Sequence, residues 1–400
     1  MNSKNLEDLI IVLIKDHLNE ESSKIIKEII NYRKTNINEA TITKSLLIKN
    51  IKNINQKDIE NIIEKLINLN FIEFSEQKKE EFTLNINNIL NTVLYPRYCY
   101  YVTNKYGPKY LDMFEYLLKF GFYSENLNTF SKNDFVPLIR DGLIIKTKIE
   151  KKENSDLFSS NNINTYKINF QLLNDILFRE YIIKYYRNYI STNLSFYELF
   201  KKVINSNNFI YQLKAYEKNL NISELDISSL KYKDLLIKDH KSDKLILNKE
   251  MIKYELFYNS IEKILGLFYS SKHLRIFQII QMNKNFNIFQ ISQVASLNYL
   301  EVQEILDVLI NKLRLVQKIK NENEQDDFIY LVNKIDESIF DKIKINIYGI
   351  IKNIKYEIKD KSKELKGRIK QDTIMQYINK YHSLINDFAE ILNAYNFLFN

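Results

Sequence analysis

"NYLEVQEILDVLINKLRLVQKIKNENEQDDFIYLVN", residues Asn298–Asn333, sets a helical pattern directly before two strand patterns. Leu300, Val302, Ile305, Leu306, Leu309 and Ile310 are assigned to one apolar helix face. "LRLVQKIK" (Leu313–Lys320) and "DFIYLVN" (Asp327–Asn333) then bracket the polar tip "NENEQD". Apolar runs around a charged tip predict a half-buried β-hairpin. Upstream, "KHLRIFQIIQMN" and "FQISQVASLN" supply two further helical patterns. Three helices and a hairpin, in that order, predict a winged-helix module.

The same signature recurs toward the N-terminus. "FIEF" (Phe71–Phe74) and "EFTLNI" (Glu81–Ile86) flank "SEQKKE". "LIIKTKI" (Leu143–Ile149) and "TYKINF" (Thr165–Phe170) flank a longer polar tip. "DLLIK" (Asp234–Lys238) and "DKLILN" (Asp243–Asn248) flank "DHKS". Strand starts near residues 71, 143, 234 and 313 are spaced as whole modules would be. The fold class expected is therefore mostly α with small β-hairpins (α+β): tandem winged-helix domains, then a C-terminal helical hairpin or coiled coil. The boundaries are 1–92, 93–172, 173–250 and 251–335 for the four modules and 336–400 for the tail. The second module lacks a periodic helix of normal length before "LIRDGLIIK". The middle of the third, "NSNNFIYQLKAYEKNLNISELDISSL", receives no assignment. In the tail, Ile339, Ile343, Ile347, Ile350, Ile354 and Ile358 form a heptad-like stripe, resumed at Ile374, Ile378, Ile385, Phe388 and Leu392.

Composition narrows the function classes. The net charge of +8 over 400 residues permits phosphate contact without demanding it. The single cysteine, Cys99, excludes an intramolecular disulfide framework and a thiolate zinc site. No window approaches the roughly 18–20 apolar residues of a membrane span, so a soluble, intracellular protein without a membrane partner is expected. His17, His240, His273 and His382 lie in different elements, and no glycine-rich phosphate loop is present. No cofactor, metal ligand or catalytic residue is expected, and the chain is not read as an enzyme.

Binding remains. A DNA-reading winged helix presents a third helix rich in Arg, Lys, Asn or Gln. Here the first such helix sets Lys57 and Lys65 against Asp58, Glu60 and Glu64, and the fourth carries Glu301, Glu304 and Asp307. Phosphate repels such faces, so protein docking is the expected use. The second hairpin differs. Lys146, Lys148, Lys151 and Lys152 cluster there, as candidates for non-specific DNA contact. Residues 352–370 add seven Lys and one Arg against three acids.

"LYPRYCYYVTNKYGPKY" (Leu94–Tyr110) packs six tyrosines, two prolines and three cations between the first hairpin and an apolar helix. Taken alone it looks like a stacking platform for single strands. Its position favours an inter-module splint instead, formed by Tyr95, Pro96, Arg97 and Tyr98. The surrounding "LNINNILNTVLYPRYCYYVTNKYGPKYLDMFEYLLKFG" resembles the third subunit of RNA polymerase III, the four-winged-helix member of that enzyme's initiation heterotrimer. The matching elements are Leu94–Tyr98, Lys105–Gly107 and Leu117–Gly121, although Leu94 stands where the family has a cation. Residues 268–333 resemble the family's fourth module.

The resemblance implies a non-catalytic nuclear subunit seated on the polymerase clamp, formed by the largest subunit, with two heterotrimer partners. It implies recruitment by a promoter initiation factor, and a part in DNA opening at transfer RNA and 5S RNA genes. The alternatives are a winged-helix scaffold of a proteasome-lid or translation-initiation complex, or a general transcription factor.

Overall fold

The protein, seen in a computed structural model, is described at residues 4–36, 41–51, 54–74, 81–149, 163–190, 194–213, 235–239, 241–283, 285–320, 328–333, 337–364, 379 and 382–394. The described residues are mostly helical, with four small antiparallel sheets of three strands each among them. Two compact units divide the chain. The first comprises Met1–Tyr181 with Gly349–Phe397, the second Ile182–Tyr348 with Leu398–Asn400.

In the first unit, α1 (Lys4–His17) buries Leu9, Ile10, Leu13 and Ile14. The side chain of Asn19 accepts the Ser22 N–H at 2.7 Å and starts α2 (Glu20–Thr35). Then come β1 (Ile42–Thr43), α3 (Lys44–Asn50), α4 (Gln56–Asn68), β2 (Ile72–Phe74) and β3 (Glu81–Leu84). α4 turns Ile59, Ile62, Ile63 and Leu66 inward. It ends where Asn70 adopts φ 57° and the Phe71 N–H reaches the Leu66 carbonyl at 2.9 Å. In the sheet, β3 lies between β1 and β2, with Ile42 opposite Phe82 and Ile72 opposite Leu84.

α5 (Ile86–Asn91) and α6 (Tyr95–Tyr106) lead into a second set: α7 (Leu111–Phe120), β4 (Tyr123–Ser124), α8 (Lys132–Arg140), β5 (Ile144–Ile149), β6 (Ile163–Ile168) and α9 (Phe170–Ile190). β6 lies between β4 and β5. Tyr123, Phe135 and Tyr166 stack at the centre, with ring centroids 5.1 and 4.2 Å apart. Gly121, in the left-handed region at φ 84°, ends α7 against the last turn of α4; a Cβ there would sit 2.0 Å from the Asn68 carbonyl oxygen. The two sets of elements thus meet backbone to backbone.

The second unit holds α10 (Leu194–Asn205), β7 (Ile210–Gln212), β8 (Leu236–Asp239), β9 (Lys244–Leu247), α11 (Lys249–Phe268), α12 (Ser271–Met282), β10 (Phe286–Asn287), α13 (Ile288–Ala295), α14 (Tyr299–Asp307), β11 (Val316–Lys320) and β12 (Phe328–Val332). β9 lies between β7 and β8, and β12 between β10 and β11. Asn287 and Gln290 close a reciprocal cap on α13, and Asn298 caps α14 at 2.7 Å. α15 (Glu337–Glu364) and α16 (382–394) follow, with the unit boundary at Gly349 inside α15.

The four expected strand pairs are present as antiparallel hairpins. Each also takes a third strand of two or three residues, too short to leave a periodic signal. The expected gap in the second set is filled by α8. The Ser131–Asp134 capping box starts it, and Pro137 lies within its nine residues. The last strand pair begins at Val316 rather than Leu313. A wide turn over Val308–Lys312 extends α14, and Arg314 at φ 55° redirects the chain. Leu300 is corrected outright: it is 71% exposed. At 100° per residue it lies opposite the mean direction of Val302, Ile305, Leu306 and Leu309. In the tail, Ile343, Ile347, Ile350, Ile354, Ile385, Phe388 and Leu392 are buried as the stripe requires. Ile358 is half-buried, and Ile374, Ile378 and the side chain of Ile339 lie outside the described residues.

Candidate interaction surfaces

The stretch Leu94–Tyr110 is largely one helix, α6. Pro96 falls in its first turn, where a missing N–H costs nothing. Tyr95, Tyr98 and Val102 share its inward side and are buried. Tyr95 stacks on Phe170 at 5.8 Å with planes 4° apart, and meets the edge of His17 at 5.2 Å. The Tyr98 hydroxyl donates to Asn174 Oδ1 at 2.5 Å. Asn174 in turn donates to Asn91 Oδ1 at 3.1 Å, and Asn393 of α16 donates to the Asn174 carbonyl at 3.0 Å. Burial pushes both the Tyr95 and Tyr98 phenols well above their usual range. These rings are packing groups, out of reach of a nucleobase.

The cations of the stretch are also occupied. Arg97 Nε lies 2.9 Å from Glu390 Oε1 of α16. Lys105 pairs with Asp141 at 3.1 Å and sits over the Tyr101 and Tyr106 rings. Asp141 also accepts the Tyr106 hydroxyl at 2.6 Å, and these hydrogen bonds hold its carboxyl at about 2. Lys109 covers Tyr110. Arg97, expected in a splint between the first two modules, pairs with the tail helix α16. Of the tyrosines on α6, Tyr100 points outward. It edges an open groove of about 600 Å³ lined by His17, Pro96, Cys99, Leu111 and Leu118. Burial pushes the Cys99 thiol up to about 11 and lowers the His17 imidazole, so both stay neutral near pH 7.

Of the four lysines at the second hairpin, Lys146 is placed on β5, opposite Tyr166. Its Nζ lies 3.7 Å from Glu125 Oε1 and 5.7 Å from the Tyr166 ring centroid. Lys148 faces Asn164 across the ladder, and its side chain lies outside the described residues, as do Lys151 and Lys152. Glu125 is the hub here, and composition gave no hint of it. It accepts from the Tyr166 hydroxyl and from Asn164 at 2.9 Å, and pairs with Lys132 at 3.0 Å. Burial pushes its carboxyl up, but the hydrogen bonds from Tyr166, Asn164 and Lys132 outweigh burial and hold it at about 2. Lys146 therefore faces a fixed negative charge. The basic run 352–370 is likewise partly spent inside: Lys352 pairs with Asp8 at 3.2 Å and Lys355 with Asp16 at 2.9 Å, both on α1.

The helices expected to face a partner are acidic outside. On α4, Asp58 and Glu64 are exposed beside Lys57, while Glu60 pairs with Lys44 at 3.3 Å. On α14, Glu304 and Asp307 are exposed, and Glu301 takes Lys272. Among the described residues no group of His, Cys, Asp or Glu is placed to hold a metal ion, and no helix is long and apolar enough to cross a membrane. No protein-family model and no curated protein matches the chain. The resemblance stands on the residues quoted for it, chiefly Leu94–Gly121 and 268–333.

Proposed function

We propose that the chain is a non-catalytic scaffold built of four tandem winged helices, and that it serves as the third subunit of RNA polymerase III. The recurring sheet order supports the winged-helix reading. In every sheet the last strand lies between the short first strand and its hairpin partner, and in the first and fourth sets two helices separate the first strand from the hairpin. The observation that carries the scaffold reading is the cation-free, acidic outward face of α14, with no cationic excess on α4; these are the helices a DNA reader would insert in the major groove. Carboxylates there repel phosphate and suit a cationic protein surface.

The assembly is chosen on the sequence resemblance. The partners are then the other two heterotrimer subunits, the clamp of the largest subunit and a promoter initiation factor, in the nucleus. Contact with DNA is non-specific and falls to the second hairpin, through Lys148, Lys151 and Lys152 more than through Lys146, which Glu125 already opposes. Rapid depletion of the chain in cells tests the role. New transfer RNA and 5S RNA synthesis should fall while messenger RNA synthesis continues. Unchanged transfer RNA synthesis refutes the proposal.

A further inference from the structure

We infer that the outward face of α13 and α14 docks a cationic amphipathic helix of another protein. The inference deepens the scaffold reading and rests on it. Phe289 is 63% exposed and Leu300 71% exposed; Ile291, Val302, Ile305 and Leu306 already fill the inner side. Tyr299, 41% exposed, joins the two helices through a ring contact with Phe289 at 5.2 Å. Large exposed aromatic and aliphatic groups gathered on neighbouring elements are the usual anchors of an interface.

The charge beside them selects the occupant. Leu300, Glu304 and Asp307 recur at i, i+4 and i+7, so the two carboxylates continue the stripe that Leu300 begins. The nearby cations are engaged elsewhere. Lys272 takes Glu301, and Arg275 donates to the Val294 carbonyl at 3.2 Å. Among the described residues no cation pairs with Glu304 or Asp307.

A nucleic acid would bring phosphate against these carboxylates. A second copy of the chain in two-fold contact would set the same acids against each other. A helix with apolar anchors on one side and Lys or Arg beside them satisfies both halves of the face. The apolar anchors give affinity and the charges give register.

The test places a photoreactive benzophenone amino acid at position 300, in place of Leu300, in the full chain expressed in cells. The same probe at the exposed Leu127 of the first unit serves as control. After irradiation the crosslinked peptide is sequenced. The expected product joins position 300 to a segment of a different protein with apolar residues at helical spacing and a net positive charge, and the Leu127 control does not yield it. Combining Glu304→Lys and Asp307→Lys should cut its yield about tenfold without moving the thermal midpoint, since both residues are exposed.

The inference is overturned by a crosslink to a second copy, to nucleic acid or to an acidic or uncharged segment. It is equally overturned by no crosslink, or by a yield indifferent to the charge reversal. A cationic helix from a protein outside RNA polymerase III would uphold this face and refute the assembly. Recovery of polymerase subunits without the crosslink would do the opposite.

Discussion

Replacing Gly121 with alanine probes how the first two sets of elements are joined. The backbone there is left-handed, which costs an L-residue about 1–2 kcal/mol. The added Cβ would meet Asn68 O at 2.0 Å, Asn68 C at 2.4 Å and Leu69 N at 2.7 Å. All three are backbone atoms at the end of α4, so no side-chain rotation relieves the clash. Carbon and carbonyl oxygen need about 3.3 Å, so the two helix ends must part by roughly 1 Å. Overpacking of this kind costs about 1–3 kcal/mol. The total is about 2–5 kcal/mol, or roughly 5–15 °C in the midpoint of a unit of this size. Gly107→Ala is the control. Gly107 also has positive φ, at 99°, but a Cβ there meets nothing within 4 Å. At φ 99° and ψ 162° it lies in a region essentially confined to glycine, so alanine there carries at least as much backbone strain, without the clash. Calorimetry of the full chain reads the midpoints, and hydrogen exchange at Leu69–Phe71 locates the effect. If hydrogen exchange at Leu69–Phe71 is no faster in Gly121→Ala than in Gly107→Ala, the close approach of α7 to α4 is wrong.

Other perturbations separate packing from binding. Tyr95→Ala and Tyr98→Ala should each cost about 3–5 kcal/mol in thermal or denaturant unfolding and leave DNA affinity unchanged; a drop in DNA affinity at unchanged stability would restore the stacking-platform reading. The Glu125 carboxyl is depressed in the folded state from 4.5 to about 2. Its contribution to stability is therefore present above about 4.5 and lost as pH falls toward 2. Glu125→Gln should lower the midpoint at pH 7, and its gap from the wild type should close over that acid range; a gap independent of pH contradicts the hub. Neutralising Lys146 alone should leave the salt dependence of DNA binding unchanged. Neutralising Lys146, Lys148, Lys151 and Lys152 together should flatten it, by about 0.7–0.9 in log–log slope for each phosphate no longer neutralised.

The strand pairs and the buried stripes of α4 and α15 were legible in the sequence because period-two and helical patterns survive in short windows. The third strand of each sheet was not. Ile42–Thr43 or Phe286–Asn287 is defined by the partner it pairs with and not by its own pattern. α8 was hidden by its length and by Pro137, although Ser131 and Asp134 spell its cap. Leu300 was misplaced by counting apolar residues without their angles. The same angular check would have exposed the α14 surface. The partners of Arg97 and Lys146 were out of reach: Glu390 lies far along the chain, and Glu125 is an ordinary acid until Tyr166 and Asn164 close around it.

Membership in RNA polymerase III, as proposed, determines every other expected partner. Affinity purification of the full chain from its own cells, with quantitative mass spectrometry of what accompanies it, tests that membership most directly. The expected result is co-purification of polymerase III subunits in near-equal amounts, the two heterotrimer partners surviving the highest salt. Proteasome-lid or translation-initiation components in their place, or the chain alone, would contradict it.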